Sequence, residues 1–387
     1  MPSTFTKKVV ATVLAAALVA GAAACGGDDN TGDTTGDTAS VAASTSSDGG
    51  SAIAKWKSQE SALLDTEKFD WPMPTEAFDP GKGKVAVISC GEADAGCHTL
   101  TVGAQEAAKA AGWTSKVFDT AFDPNKAGGF VQQALQEGFD GIVLGAINPT
   151  VIQSAVAAAT KAGVPIGCAV CVTPKSSQYE NVLDATSGGA AGEAEAVGVI
   201  AASGAKARAV YFYTPGQAIE VARTEALKAK FAECDECSLE IKEVPLGDLG
   251  KPGPPFFTGF LSTPLAKRVD WVTASSDAYS VPAMKTAIDR GLTDYAFGGT
   301  AATKDMTVAM TKPDSVAKVT VAESYRYAAW ASVDNIMRRV AKAPTWDASK
   351  LPVALVTPAN AKKYAQGGEL TPPAGIEATF TKFWTRG

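Results

Sequence analysis

Histidine is nearly absent from this chain: of 387 residues, only His98 is one. That excludes most His-based metal sites and sharply limits His-based acid–base catalysis, because imidazole is the side chain that titrates near neutral pH. No block of basic residues occurs and the formal net charge is -6. Nucleic acid is therefore not an expected partner, since its phosphates are held by clustered Lys and Arg. The chain also lacks a nucleophile elbow and a phosphate-cradling glycine loop. No nucleophile–base pair can be assigned, and an enzyme is not the expectation. A second long apolar run is missing as well. The one present, over residues 9–19, is shorter than the about 20 residues that a bilayer-spanning helix needs.

What the chain does have begins at its amino-terminal end. Lys7 and Lys8 precede the apolar run, and Gly21-Ala22-Ala23-Ala24 leads to Cys25. A charged region, a short apolar core and small residues at a cleavage position make a secretory signal over 1–24. A Cys directly after the small residues resembles the lipobox of bacterial lipoproteins, where that Cys receives the lipid. Ala22 stands where the pattern usually carries Leu. The resemblance implies an exported chain, lipid-anchored to the outer face of the bacterial cytoplasmic membrane and touching it only through that lipid. Ordinary signal cleavage, with Cys25 left as a free thiol, is the alternative. Residues 26–50 are rich in Gly, Asp, Thr and Ser. With too little apolar surface to fold, they and Cys25 read as a disordered tether over 25–50. A coil of that length reaches about 25–30 Å.

Setting Cys25 aside leaves six cysteines in three pairs close in sequence: Cys90 and Cys97, Cys168 and Cys171, Cys234 and Cys237. An exported chain meets an oxidising compartment, where disulfides persist. Local bridges are the leading reading. Pairing of Cys90 or Cys97 with Cys168 or Cys171 is the second, and a four-Cys zinc site is the third. A redox CxxC needs its thiolate at a helix N-terminus. Neither CxxC here fits: Cys168-Ala169-Val170-Cys171 runs into VTPKSSQY, and Cys234-Asp235-Glu236-Cys237 ends a helix. No metal or cofactor is expected.

The remaining chain is 46% apolar and 20% charged over the whole sequence, the balance of a globular protein large enough for two cores. Residues 53–66 read as one short helix, broken by Trp71-Pro72-Met73-Pro74 and expected to pack on the first lobe. From Lys84 onwards, continuous apolar strands alternate with amphipathic helices. The strands are KVAVIS (84–89), SKVFD (115–119), GIVLG (141–145), GVPIGCAV (163–170) and NVLDATS (181–187). The pattern then restarts with ARAVYFYT (207–214), LEIKEVPLG, VDWVTASSD and YAFGGTAAT. The fold class is α/β, with two doubly wound parallel-sheet lobes. Ligands bind such sheets at the carboxyl ends of the strands, so two lobes facing one another by those ends form a cleft.

The order and spacing of KVAVIS…GAQEAAKAAGW, GFDGIVLGAINPTVIQSAVAAATKAGVPI, RAVYFY…RTEALKAKF, WVTASSDAYSVPAMKTAIDRG and TVAESYRYAAWASVDNIMRRV are similar to the ribose- and galactose-type periplasmic binding proteins, the type I fold. The resemblance covers roughly residues 80–387. It implies lobe 1 over 51–187 plus 324–346 and lobe 2 over 188–323 plus 351–387, joined by three crossovers, with the final segment completing lobe 2. It implies a monomer that captures a small-molecule ligand and delivers it to an ABC permease. A sensor of the same build, signalling to a membrane kinase, reads identically in sequence, as does a receptor for a non-sugar solute.

Carried over residue by residue, the resemblance places ligand contacts at Glu92, Asp94, Gly96 and Cys97 after the first strand and at Asn148 after the third. In the second lobe it adds Tyr213, Arg223, Ser276 and Asp277, and Glu323 at the return hinge. Val170 and Gly298 stand where the sugar binders carry carboxylates. Those departures point to a ligand with fewer hydroxyls or with an apolar face, because each unpaired buried hydroxyl would cost about 1–3 kcal/mol. Bland readings compete: Arg223 in a surface pair with Glu220 or Glu225, Asp277 as a helix N-cap, His98 and the tyrosines as structure. The leader yields a first prediction. Intact mass of the membrane fraction should show acyl groups on a chain beginning at Cys25; a soluble product with an unmodified Cys25 would refute it.

Overall fold

The computed structural model describes residues 48–64, 69–183, 185–248, 253–366 and 368–385. The leader, Cys25 and most of the tether lie outside these residues. The first described element, α1 (Asp48–Leu64), takes in the end of the expected tether. Lobe 1 follows as β1 (Lys84–Ser89), α2 (Ala95–Ala111), β2 (Thr114–Asp119), α3 (Pro124–Gln136), β3 (Gly141–Gly145), α4 (Gln153–Ala162), β4 (Ile166–Val172) and β5 (Glu180–Leu183). These strands form one parallel sheet in the order β2-β1-β3-β4-β5. Successive residues of a strand face opposite ways. Val85, Val87 and Val143 accordingly share one core with α2, while Ala86, Ile88, Ile142 and Leu144 share another with α3 and α4. Sequence-local signals set the helix ends: Asp94 and Asp123 cap α2 and α3, and Gly112 and Gly163 close α2 and α4 in the left-handed conformation.

Lobe 2 runs through α5 (Ala185–Ala202), β6 (Arg208–Tyr213), α6 (Ala218–Phe231), β7 (Ser238–Glu243), α7 (Pro255–Leu261), β8 (Trp271–Ala274), α8 (Asp277–Asp289), β9 (Ala296–Gly298), α9 (Lys304–Met310) and β10 (Ala317–Ala322). The chain returns to lobe 1 for α10 (Tyr325–Val340), goes back for β11 (Ala354–Val356) and ends with α11 (Ile376–Thr381). The second sheet has the order β11-β10-β9-β8-β6-β7. The strand over 181–187 is shorter than expected, because Ala185 already belongs to α5.

Three expectations need correction. The second sheet is not wholly parallel: β11 pairs antiparallel with β10. The amino-terminal helix does not pack on lobe 1. Trp56 on α1 is 2% exposed, in a core with Ala191, Val197, Tyr211 and Leu355 of lobe 2. The final segment does not complete lobe 2 either. After β11 the backbone meets the hinge, where Leu370 N donates to Glu323 O, and then crosses to lobe 1. There Phe380 packs on Tyr327 and Trp330, and Trp384 stacks on Trp330 at 5.8 Å.

A buried ion pair on α10 joins these excursions. Asp334 and Arg338 are 0% and 1% exposed, one helical turn apart, with Arg338 Nε donating to Asp334 Oδ2 at 2.6 Å. Asp334 also accepts the indole N–H groups of Trp346 and Trp384, both at 2.7 Å. Arg338 donates to the carbonyl of Glu76 and lies 4.3 Å over the ring of Phe78. Removing one partner of such a pair strands a charge in the core. Asp334→Ala should therefore cost about 3–5 kcal/mol in denaturant unfolding; a loss below about 1 kcal/mol would show that the pair does not anchor the terminal segments.

Candidate functional site

The carboxyl ends of both sheets meet across one cleft. Lobe 1 contributes the Cys90–Cys97 loop, Phe122 after β2, Ala146 after β3 and Val170 in β4. Lobe 2 contributes Gln217 to Arg223 on and before α6, together with Ser276, Ala278 and Tyr279 at the start of α8, and Tyr325 stands at the hinge. These residues enclose a cavity of about 60 Å³. Two further hollows share lining residues with it: a mouth of about 370 Å³ lined by Asn125, Asn148 and Gln217, and a recess of about 370 Å³ beside α8 and α9.

Arg223 is the charged centre, 2% exposed. Its place depends on a close helix contact: Gly192 on α5 faces the Arg223 carbonyl so tightly that a Cβ would overlap it. Nη2 donates to both oxygens of Glu323, at 2.7 and 2.8 Å, and to the Tyr325 hydroxyl at 2.8 Å. Nη1 donates to the carbonyl of Ser275 at 2.9 Å. Nε is buried with no acceptor. Burial opposes the charge, but Glu323 and Tyr325 outweigh it and hold the guanidinium pKa well above its ordinary value. Across the cleft, burial pushes the Asp94 carboxyl up, against the N–H groups of Cys97 and Gly96 and the field of Arg223.

Glu220, 5% exposed, accepts from Thr214 N, Ser275 Oγ and the Tyr279 hydroxyl at 2.6, 2.8 and 3.1 Å. Burial raises its pKa. Wholly buried Glu195, on α5, is pushed up further by burial and by nearby Asp277, which favours its neutral form. The site thus holds one fixed cation with an unpaired Nε, and a carboxylate of the opposite lobe, Asp94, lines the same cavity. Among the described residues no group of three or more His, Cys, Asp or Glu could hold a metal ion.

The model of the periplasmic binding protein domain matches residues 85–343. This chain belongs to that family. No curated protein matches it in sequence. Solved structures share the fold at low identity. An ABC transporter solute-binding protein from Bacillus halodurans C-125 with bound myo-inositol is 19% identical, with TM-score 0.62 over 74% of this chain and 99% of that one. One from Mycobacterium smegmatis with bound glycerol is 18% identical, with TM-score 0.63 over 76% and 100%. A galactofuranose-binding protein is 18% identical, with TM-score 0.64 over 73% and 97%.

Of the residues that the family resemblance suggested, Asp94, Gly96, Cys97, Val170, Arg223 and Ser276 line the central cavity, and Asn148 lines the mouth. Glu323 acts one step back, as the partner of Arg223. Four positions fall away from the cavity. Glu92 bonds Thr101 and His98 of α2 and does not line the cavity. Tyr213 turns to Glu243. Gly298 sits inside the sheet against Thr273, Val199 and Glu195. Asp277 borders the recess beside α8, but its carboxylate is spent on Thr303 and Thr320, and Ser276, not Asp277, caps α8. Arg223 pairs with neither Glu220 nor Glu225. Sequence reasoning missed Phe122, Gln217, Ile219 and Glu220, which no motif marks; Ile219 and Glu220 share the first turn of α6 with Arg223 one turn on, and that spacing could have found them.

The six cysteines form the three local bridges Cys90–Cys97, Cys168–Cys171 and Cys234–Cys237. The first forms part of the cavity wall.

Burial raises the Asp277 pKa to about 7, against about 3.9 in an unfolded chain. The folded state therefore keeps a proton that the unfolded state releases, and stability falls as pH rises from about 4 to 7, at up to about 1.4 kcal/mol per pH unit for this group. Asp277→Asn should flatten that part of the stability profile in urea titrations; an unchanged slope would show that Asp277 ionises normally in the fold.

Proposed function

We infer that this chain is an exported receptor, held to the outer face of the cytoplasmic membrane by a lipid on Cys25, that closes two lobes around a small polar solute and delivers it to an ABC permease. The observation that carries this reading is that the buried, charged Arg223 of lobe 2, whose Nε has no acceptor, and Asp94 of lobe 1 line one interlobe cavity. An unmatched guanidinium donor is costly in a sealed site. A hydroxyl or carboxylate of a solute would satisfy it, while Asp94 would accept from a neighbouring hydroxyl. Engagement of both lobes by one molecule is what couples binding to closure.

The central cavity of about 60 Å³ is far below the ~300–1,000 Å³ of ordinary ligand pockets. The lobes must part to admit a solute and close on it afterwards. The walls limit the solute's chemistry. Leu100, Phe122, Ala146, Val170 and Ile219 are apolar, and the polar groups gather around Arg223. A small sugar-like or other organic molecule with a polar edge and an apolar side fits. Glycerol and myo-inositol, named as bound in two of the structural neighbours, are polyols and support the sugar-like end of that range.

A thermal-shift screen of sugars, polyols, amino acids and aromatic acids tests the reading. A cognate solute at about 100 times its dissociation constant should stabilise the fold by about 2.7 kcal/mol and reduce the radius of gyration in solution scattering. Absence of any shift across the screen would count against a receptor for these classes. Asp94→Asn, which keeps a capping side chain on α2, should weaken the solute found by about tenfold or more in calorimetry, as expected for losing a charge-assisted bond. Unchanged affinity would move the site away from Asp94.

A further inference from the structure

Cys168 and Cys171 cannot be joined while β4 runs as an ordinary strand. Successive residues of a strand face opposite ways, so positions three apart lie on opposite faces and about 10 Å from one another. The bridge brings their Cα atoms to 5.5 Å, and both cysteines pack in the core beside α3 and α4. Backbone must therefore bulge out of the strand between them. It does: from the pairing of Cys168 with Asn181 to that of Val172 with Leu183, three residues of β4 stand against one of β5. Ala169 keeps its register, opposite Gly145, and its carbonyl accepts from Ala146 N at 2.8 Å. Val170 takes up the irregularity.

Its backbone lies in the left-handed region at φ +59°, and among the described residues no other β-branched side chain does so. That conformation crowds a branched side chain and persists only where the surroundings impose it. Phe122 and Ala146 are also left-handed, at φ +64° and +54°, but they follow the ends of β2 and β3, whereas Val170 lies inside β4. The result is a change of face. Under strict alternation Val170 would join Cys168 in the core beside α3 and α4. Instead it joins Ala169 in the core of α2, is 4% exposed and lines the central cavity. Both sulfurs rest against the β3 loop, at 3.4 and 3.3 Å from the carbonyl oxygen of Ile147. A bridge across so few residues gains little from chain entropy, so its contribution is geometric.

We propose that the Cys168–Cys171 bridge is a positioning element of the solute site: it holds Val170 in the cavity wall, and without it β4 regains its alternation and withdraws that wall. The proposal rests on the receptor reading of the same cleft. Val170 and Arg223 line one cavity, so loss of the bridge removes an apolar contact beside the charged group and leaves the charged group itself in place.

Thermal melting of the full chain without solute tests the geometry. In the bridged protein Val170→Gly should melt about 2 °C or more above Val170→Ala, since only glycine accepts φ +59° freely. With Cys168→Ala and Cys171→Ala added, the order should reverse, because a regular strand interior favours alanine over glycine. A bridge that merely tightened the fold would lower both melting points and leave their order alone. Any result other than this reversal would overturn the proposal. Calorimetry with myo-inositol and glycerol tests the consequence. A probe that binds the native chain should bind the Cys168→Ala, Cys171→Ala variant about tenfold or more weakly; equal affinity would also overturn the proposal. If neither probe binds the native chain, the melting order still decides the positioning, and the broader solute screen judges the receptor separately.

Discussion

A guanidinium can be buried only where carboxylates and carbonyls replace its water, and Arg223 imposes that condition on everything around it. Glu323 answers it from the end of β10, Ser275 from the end of β8 and Tyr325 from the start of α10. The charge of the site and the crossover between the lobes are therefore one hydrogen-bonded unit. Glycine at position 192 lets α6 approach α5 closely enough to deliver the side chain. Glu220 then fixes Ser275 and Tyr279 around the same strand ends. A movement of the hinge that shifts Glu323 or Tyr325 must disturb Arg223, so the charge at the cavity and the position of the lobes share their energetics.

The two lobes approach that centre with different materials. Lobe 2 supplies charge, arranged by side chains that hydrogen-bond one another. Lobe 1 supplies backbone geometry: a disulfide-closed loop, a helix cap at Asp94 and residues held at positive φ. A polar network gives direction to a bound molecule, whereas a rigid apolar floor gives it shape. The division follows from the sheets, since both present their strand ends but, among the described residues, only α6 carries an arginine into the gap.

Much of this was legible in the sequence. β1 and β3 could be read to the residue, because continuous apolar runs beside glycine have few alternatives, whereas Arg223 came only from the family resemblance, and the fold sets it on the cavity wall. The docking of α1 and of the last segment was not legible. An amphipathic pattern shows that a face is buried but not against which neighbour, and Trp56 or Phe380 would be satisfied by either lobe. Asp277 reads as a helix cap until the fold brings Thr303 and Thr320 to it. Phe122 lay furthest from view, since its left-handed backbone depends on its N–H donating to the carbonyl of Cys90, a residue distant in sequence that no local pattern encodes.

The paths of the two terminal segments have a practical consequence. The helix that opens the described chain rides on lobe 2, and the helix that closes it rides on lobe 1. A fluorescent donor on the exposed face of α1 and an acceptor on α11 would thus sit on separate bodies without any label in the cleft. Their energy transfer would report lobe separation directly, so the natural layout of this chain already has the wiring of a solute biosensor.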